Sequence, residues 1–411
     1  MNNFTTVGLT IGNAVIDGTN INVNAVIAGT TIISQNSIQT TGNIIAGGVV
    51  LGNGPSSPAV ISGSLWSWGR DNVGQLGLGN LTNQSSPVQV GALANWSSVA
   101  CGRAFTAAAK TDGTLWTWGY DAYGQLGLGN TITYASPVQV GALTNWAVVS
   151  CGQFHTAAIK TDGTLWTWGM NTHGQLGQGN TTSYSSPVQV GVLTNWASVS
   201  CNCNNSTVAI KTDGTLWACG YNTLGQLGLG NTTNYSSPVQ VGALTNWESV
   251  ACGYRYLLAI KTDGTLWGCG FNGLGQLGQG NTTSYSSPVQ VGTLTNWKSV
   301  VCGQYHAAAI KTDGTLWAWG GNANGQLGLG NTTNYSSPVQ VGALTNWVSV
   351  SAGEFHTTAI KTDGTLWAWG SDNYGQLGQS NITPYSSPVQ VGALTNWAAV
   401  ACGYHTVAIQ K

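Results

Sequence analysis

The sequence predicts an all-β fold, a seven-bladed propeller of four-stranded blades. Three observations predict it. A Gly-Ser/Thr-Leu-Trp segment recurs with Trp at 66, 116, 166, 217, 267, 317 and 367, at steps of 50 residues and once 51. Each step holds short apolar runs separated by Gly, Asn and Asp turn signals, with no helical period. The two ends of the chain carry complementary parts of one unit. A period of this length with four strands per repeat describes a propeller, because one blade alone cannot bury both of its faces.

The unit from Thr194 to Pro238 represents the rest. Trp196 to Ser200 is a short apolar run and reads as the first strand. Thr207 to Lys211 reads as the second. Thr212-Asp-Gly214 is a tight turn, since Asp-Gly supplies a side-chain acceptor and a positive φ. Thr215-Leu-Trp217 opens the third strand. A long loop with Gly-Gln-Leu-Gly and Asn-Thr-Thr follows, and Pro238 to Val241 reads as the fourth strand. Trp and Leu on successive strands are expected to fill the space between blades.

The first copy starts at Ser62-Gly-Ser-Leu-Trp66, with the third strand of a blade. The last copy ends after Trp397–Gly403 and Thr406–Lys411, a first and a second strand. The predicted closure therefore joins two strands from each end in one sheet. That arrangement removes the unpaired edges an open ring would expose.

These residues carry a family resemblance. Cys151-Gly-Gln-Phe-His155 through Thr164-Leu-Trp166-Thr-Trp-Gly, followed by Gly174-Gln-Leu-Gly177, resembles the regulator-of-chromosome-condensation repeat. The match runs through all seven copies, and the resemblance implies a seven-bladed propeller. Members of that family include a nucleotide exchange factor that docks on chromatin and a secreted bacterial inhibitor of β-lactamase. The basic docking segments of the former are absent here, and nothing resembles a wedge inserted between blades.

Composition narrows the function. The chain of 411 residues is 42% hydrophobic and only 6% charged, with a net charge of -1. A typical globular protein is about 25% charged. Eleven basic residues against twelve acids offer no basic surface for phosphates, so nucleic acid is not an expected partner. No apolar run reaches the ~20 residues of a membrane span. The 19 Trp speak against disorder.

Comparison of the copies points to one face. Two segments vary while the rest is nearly constant. The first joins strands one and two and includes Arg103, Phe105, Phe154, Tyr254, Arg255, Tyr256, Tyr305, Glu354, Phe355 and Tyr404. The second follows strand three and includes Arg70, Asp71, Tyr120, Tyr123, Tyr221, Phe271 and Tyr374. Two strands separate these segments in an antiparallel meander, so both emerge at one end. The Thr-Asp-Gly turns and Gly-Ala-Leu-Thr-Asn segments emerge at the other. Tyr, Phe and Arg on loops are common interface chemistry, and all seventeen residues are candidate partner-binding positions. Drift of unconstrained loops is the competing reading. Twelve of the 23 charges are the Lys and Asp flanking the Thr-Asp-Gly turn, as in Lys160 and Asp162, and local pairing is expected of them. Seven others, Arg70, Asp71, Arg103, Asp121, Arg255, Glu354 and Asp372, fall on the variable face and sum to -1.

No catalytic constellation is present, and neither enzyme activity nor a cofactor is expected. His155, His306, His356 and His405 share one repeat position and read as loop-bracing residues rather than metal ligands. Cys101, Cys151, Cys201, Cys252, Cys302 and Cys402 share another, where the remaining copy has Ala352, so the site asks for a small buried group. Cys219 and Cys269 replace a Trp. The odd total of nine Cys argues against a disulfide framework.

Residues 1–54 are rich in Ile, Val, Thr, Asn and Gly and carry one charge, Asp17. Asn20–Ile27 and Thr40–Leu51 read as short strands with Gly breaks. The segment lacks the charged start and apolar core of a signal peptide. It resembles the Gly-punctuated β repeats of phage tail fibre and spike proteins, which implies an oligomerising stalk or virion-attachment segment. Residues 55–61 read as a linker and 62–411 as the propeller, entered at the Thr-Asp-Gly end. The expected function is a non-enzymatic virion protein, a tail fibre, spike or capsid-attached adhesin. Its propeller would contact a host-surface receptor (protein or glycan) or neighbouring virion proteins. The alternative is an extracellular protein-binding propeller similar to the β-lactamase inhibitor.

Overall fold

The computed structural model describes residues 61–203 and 205–411, and four short strands within residues 15–51. The chain divides into two units, Met1–Val60 and Ile61–Lys411. In the first, Val15–Asp17 pairs antiparallel with Asn20–Asn22, and Ile44–Ala46 with Val49–Leu51. The rest of the expected stalk and linker lies outside the described residues.

The second unit is a propeller of seven four-stranded antiparallel sheets. Blade 1 shows the plan: Trp96–Cys101, Phe105–Lys110, Leu115–Gly119 and Tyr134–Gln139. These are named strands a to d, and blades 2 to 6 begin at Trp146, Trp196, Trp247, Trp297 and Trp347. The a strands of successive blades lie against one another and line the axis, while the d strands form the rim. Strand d begins earlier than the sequence suggested, at Tyr235 rather than Pro238 in blade 3. Its position explains the Pro: a rim strand has no outer neighbour and needs no amide donor there.

Blade 7 closes the ring. Trp397–Cys402 and His405–Gln410 supply strands a and b, and Ser64–Gly69 and Gln84–Gln89 supply c and d. The seam runs in register from His405 opposite Gly69 to Gln410 opposite Ser64. Gly63 occupies the place of Gly113 at the Thr-Asp-Gly end, since Trp96 N donates to Gly63 O as Trp146 N does to Gly113 O.

Apolar burial between blades follows one rule. The first Trp of strand a meets both Trp of strand c edge-on, as Trp96 does with Trp116 at 6.3 Å and Trp118 at 6.1 Å. The inner Trp of strand c reaches into the preceding blade, where Trp118 Nε1 donates to Gln75 O at 3.0 Å and Trp168 Nε1 to Gln125 O at 2.9 Å. Cys219 keeps this link by a long thiol contact to Gln175 O, 3.7 Å, and leaves a void of ≈ 10 Å³ between blades 2 and 3.

The repeated charges are used differently from the expected Lys–Asp pairing. Lys110 Nζ lies 3.7 Å from the Trp116 ring centroid and 4.9 Å from that of Trp96. Asp112 Oδ1 accepts from both Thr114 N and Thr114 Oγ1, at 2.9 and 2.6 Å. The cation sits on the aromatic faces because their quadrupole attracts it, and the carboxylate fixes the turn.

Candidate functional site

The loops between strands a and b and those after strand c emerge together, because Gly119 at the end of strand c faces Phe105 at the start of strand b. The variable segments therefore share one face. Its centre is built from a single repeat position. Arg103, Gln153, Tyr254, Gln304, Glu354 and Tyr404, one from each of six blades, line an axial mouth of ≈ 70 Å³ with glycines between them. Backbone bonds tie this ring together: Tyr254 N donates to Gln304 O, Glu354 N to Gly403 O and Tyr404 N to Arg103 O.

Around the mouth lie three clusters. Arg70 stacks over Tyr374 at 4.8 Å and Tyr404 at 5.2 Å, while Arg103 lies 4.9 Å from Tyr404 and donates to its hydroxyl. Glu354 sits near both guanidinium groups, but burial dominates and pushes its carboxyl up to about 7 against their pull. Glu354 Oε2 and Gln304 Oε1 are buried with no hydrogen-bond partner in the structure. In the second cluster Arg255 lies over Tyr254 at 4.9 Å and Tyr221 at 5.6 Å, and Tyr254 meets Tyr305 edge-on. Arg255 holds a φ of 64°, a left-handed backbone uncommon outside glycine. The third cluster is Tyr120, Tyr123 and Phe154. Phe271 and Phe355 are half-buried on the same face.

Three candidate residues are not on the surface. Phe105 and Tyr256 are fully buried. They begin strand b, so the a–b loop is shorter than the sequence suggested. Their rings tuck beneath a glycine: a Cβ on Gly102 would lie 2.0 Å from Phe105 Cε1, and one on Gly253 2.1 Å from Tyr256 Cε1. Asp71 is also fully buried, as are Asp121 and Asp372. Their Oδ1 atoms accept the backbone amides of Leu76, Leu126 and Leu377 at 3.0, 2.8 and 2.8 Å, which closes the loop after strand c. The charge exposed on this face is therefore not the summed -1. It consists of Arg70, Arg103, Arg255 and the partly buried Glu354.

The four histidines are inter-blade stitches. Nε2 of His155, His306, His356 and His405 meets Oγ1 of Thr207, Thr357, Thr406 and Thr106 in the next blade at 3.0, 2.9, 3.0 and 2.6 Å. Each threonine donates to a Gln carbonyl, as Thr207 does to Gln175 O at 2.7 Å. The imidazole must therefore donate through Nε2. Burial pushes the imidazoles down, to about 4 at His155 and His356 and about 3 at His306 and His405. Among the described residues no group of three or more His, Cys, Asp or Glu is placed to hold a metal ion. The Cys residues at the end of strand a are buried, and burial raises Cys402 to about 11, which keeps it protonated.

Four of the six axial residues, Arg103, Tyr254, Glu354 and Tyr404, are among the candidates read from the sequence, and Gln153 and Gln304 are not. The signal for the position is that Arg, Gln, Tyr, Gln, Glu and Tyr each follow the same glycine of the repeat, but Gln153 and Gln304 lack the aromatic or charged character that marks an interface.

Comparison with known proteins agrees with this architecture. A family model described as the RCC1-like domain matches residues 192–411. The regulator of chromosome condensation (RCC1) repeat matches residues 62–109, 112–159 and 162–209. No curated protein matches the sequence. Among solved structures, human WBSCR16 shares 23% identity at a TM-score of 0.76, covering 85% of this chain and 99% of its own. Prp20p of Saccharomyces cerevisiae, described with its binding to Gsp1p and histones, shares 19% identity at 0.75, covering 86% and 93%. Yeast Prp20 bound to Kap60 shares 18% at 0.78, covering 94% and 97%. At these identities the likeness shows the fold.

Proposed function

The chain belongs to the RCC1-like propeller family, and from that premise we propose a non-enzymatic binding protein whose variable face grips a host-surface partner. One observation carries the reading. A template that repeats almost unchanged departs from itself at positions that gather on one face, and the replacements are large. Here Arg stacks on Tyr in two places, and Arg255 holds a left-handed backbone that costs about 1–3 kcal/mol. The protein binding described for yeast Prp20 supports a binding role on this scaffold. Carriage on a virion through residues 1–54 belongs to the same proposal and is supported by the composition of that segment.

The test uses fluorescent full-length chain on whole bacterial cells. Replacing Arg70 and Tyr374 with Ala removes one stack and is expected to weaken cell retention at least ~10-fold, as interface anchors of this type do. The control replaces Leu143 and Leu344, exposed on the opposite face at 47% each, with Ser. Equal loss from both pairs, or from neither, would overturn the assignment.

A further inference from the structure

We propose that the axial mouth binds a neutral sugar ring, held by a pair of adjacent hydroxyl groups. The inference rests on the reading of the variable face as a binding surface, and it names the ligand chemistry of its centre.

The polar groups of the mouth decide the class of ligand. Two acceptors from neighbouring blades, Gln304 Oε1 and Glu354 Oε2, are buried and unpartnered. Unmatched acceptors in a dry site are costly and call for donors. Arg103 stands on the same mouth as a donor, with part of its guanidinium occupied by the Tyr404 hydroxyl. A cationic ligand could satisfy the acceptors, but it would meet Arg103 and, behind Tyr404, Arg70. An anionic ligand could satisfy Arg103, but it would meet Glu354. One acid and one base line the same mouth, so an ion of either sign meets a like charge there. A neutral ligand that both donates and accepts fits both sides. A vicinal diol does so compactly, because each hydroxyl gives one proton and offers two lone pairs. The amides of Gln153 and Gln304 suit the same chemistry, and Tyr254 and Tyr404 line the mouth beside them. The raised carboxyl of Glu354 is consistent with a site poor in water.

The ring is also pre-formed. The backbone bonds from Tyr254, Glu354 and Tyr404 to the next loop fix the positions of the lining residues. Binding then costs little ordering.

The probes are methyl α-mannopyranoside, methyl β-galactopyranoside and N-acetylglucosamine, titrated into the full chain and followed by saturation-transfer NMR and calorimetry. At least one is expected to bind with a Kd on the order of 1–10 mM, ordinary for a single small polar ligand. Glu354→Leu and Gln304→Leu are each expected to weaken it about ten-fold or more, since each removes an acceptor. The melting temperature of each variant checks folding. Acetyl-lysine amide, acetyl-aspartate amide and acetyl-glycine amide serve as cationic, anionic and peptide probes. The proposal is overturned if no sugar binds, if both variants bind as the parent does, or if one of the three amides binds as well as the best sugar. These outcomes need no macromolecular partner. Sugar binding can therefore fail while the Arg70 and Tyr374 result stands, and the reverse.

Discussion

Removing residues 397–411 is expected to abolish cooperative folding of the propeller. The deletion takes strands a and b out of blade 7 and leaves Ser64–Gly69 as an open edge. It strips the joint between blades 6 and 7 of Trp397 and the joint between blades 7 and 1 of Val407 and Ile409, all buried. Trp397 packs edge-on against Trp66 at 6.2 Å and Trp68 at 6.0 Å, so both partners lose their cover. The stitch from His405 to Thr106 goes with them. Each buried side chain of this size is worth about 1.5–3 kcal/mol, and a domain has only about 5–15 kcal/mol in total. The truncated chain should aggregate or melt without a sharp transition. A sharp calorimetric transition at the parent temperature would show that the ring does not need its seam.

Replacing Asp71, Asp121 and Asp372 together with Asn is expected to stabilise the protein strongly at pH 8 and not at pH 4. The sister blades show why. Asn171 Oδ1 accepts from Leu176 N, as the carboxylates do from their leucines, but its Nδ2 also donates to Asn180 O at 3.1 Å and Thr182 O at 2.9 Å. In the Asp blades the second oxygen is buried with no partner. Burial pushes these carboxyls up to about 6 at Asp71 and about 7 at Asp121 and Asp372. A protonated Asp can donate from that oxygen and imitate Asn, whereas an ionised one cannot.

The sign follows from linkage. A carboxyl raised in the folded state binds protons that the unfolded chain has released, so stability is lost as pH rises from about 4 to about 7. The depressed histidines, the four stitches and His173, act in the opposite direction, and stability is lost as pH falls from about 6.5 toward their folded values. Between these limits the two sets oppose one another, and the parent should change little from about pH 4.5 to 6.5. Below pH 4 the histidines are joined by the six turn aspartates, such as Asp112, whose hydrogen bonds from Thr hold their carboxyls below the usual range, and the protein should lose stability steeply. At pH 8 each Asn should add roughly 1–3 kcal/mol, the cost of an unmatched buried acceptor. Melting curves of parent and triple variant at both pH values check this. Identical curves at pH 8, or an advantage that persists undiminished at pH 4, would refute it.

Much of the fold was legible because repetition amplifies weak signals. One Leu-Trp beside one Asp-Gly turn says little, but seven Leu-Trp pairs, six of them behind an Asp-Gly turn, at a nearly fixed step define the blade. The candidate face was legible for a related reason, since departures from the template are easy to see. Individual residues on that face were less so. Phe105, Tyr256 and Asp71 carry the residue types of an interface but serve the interior. A ring tucked under Gly102 and a carboxylate closing a loop onto Leu76 depend on backbone geometry that residue type does not encode.

Period and turn residues alone define the blade, its number of copies and the closure by two strands from each end. These depend on period and turn chemistry, which are local and repeat along the chain. Which groups meet across blades depends on the folded ring. It placed the lysines on tryptophan faces rather than on aspartate, turned the histidines into stitches to the next blade, and gathered six residues roughly fifty apart in sequence around one axial mouth. The physical reason is that such contacts join different repeats. Their geometry is set by how the sheets pack around the axis, which no single repeat contains.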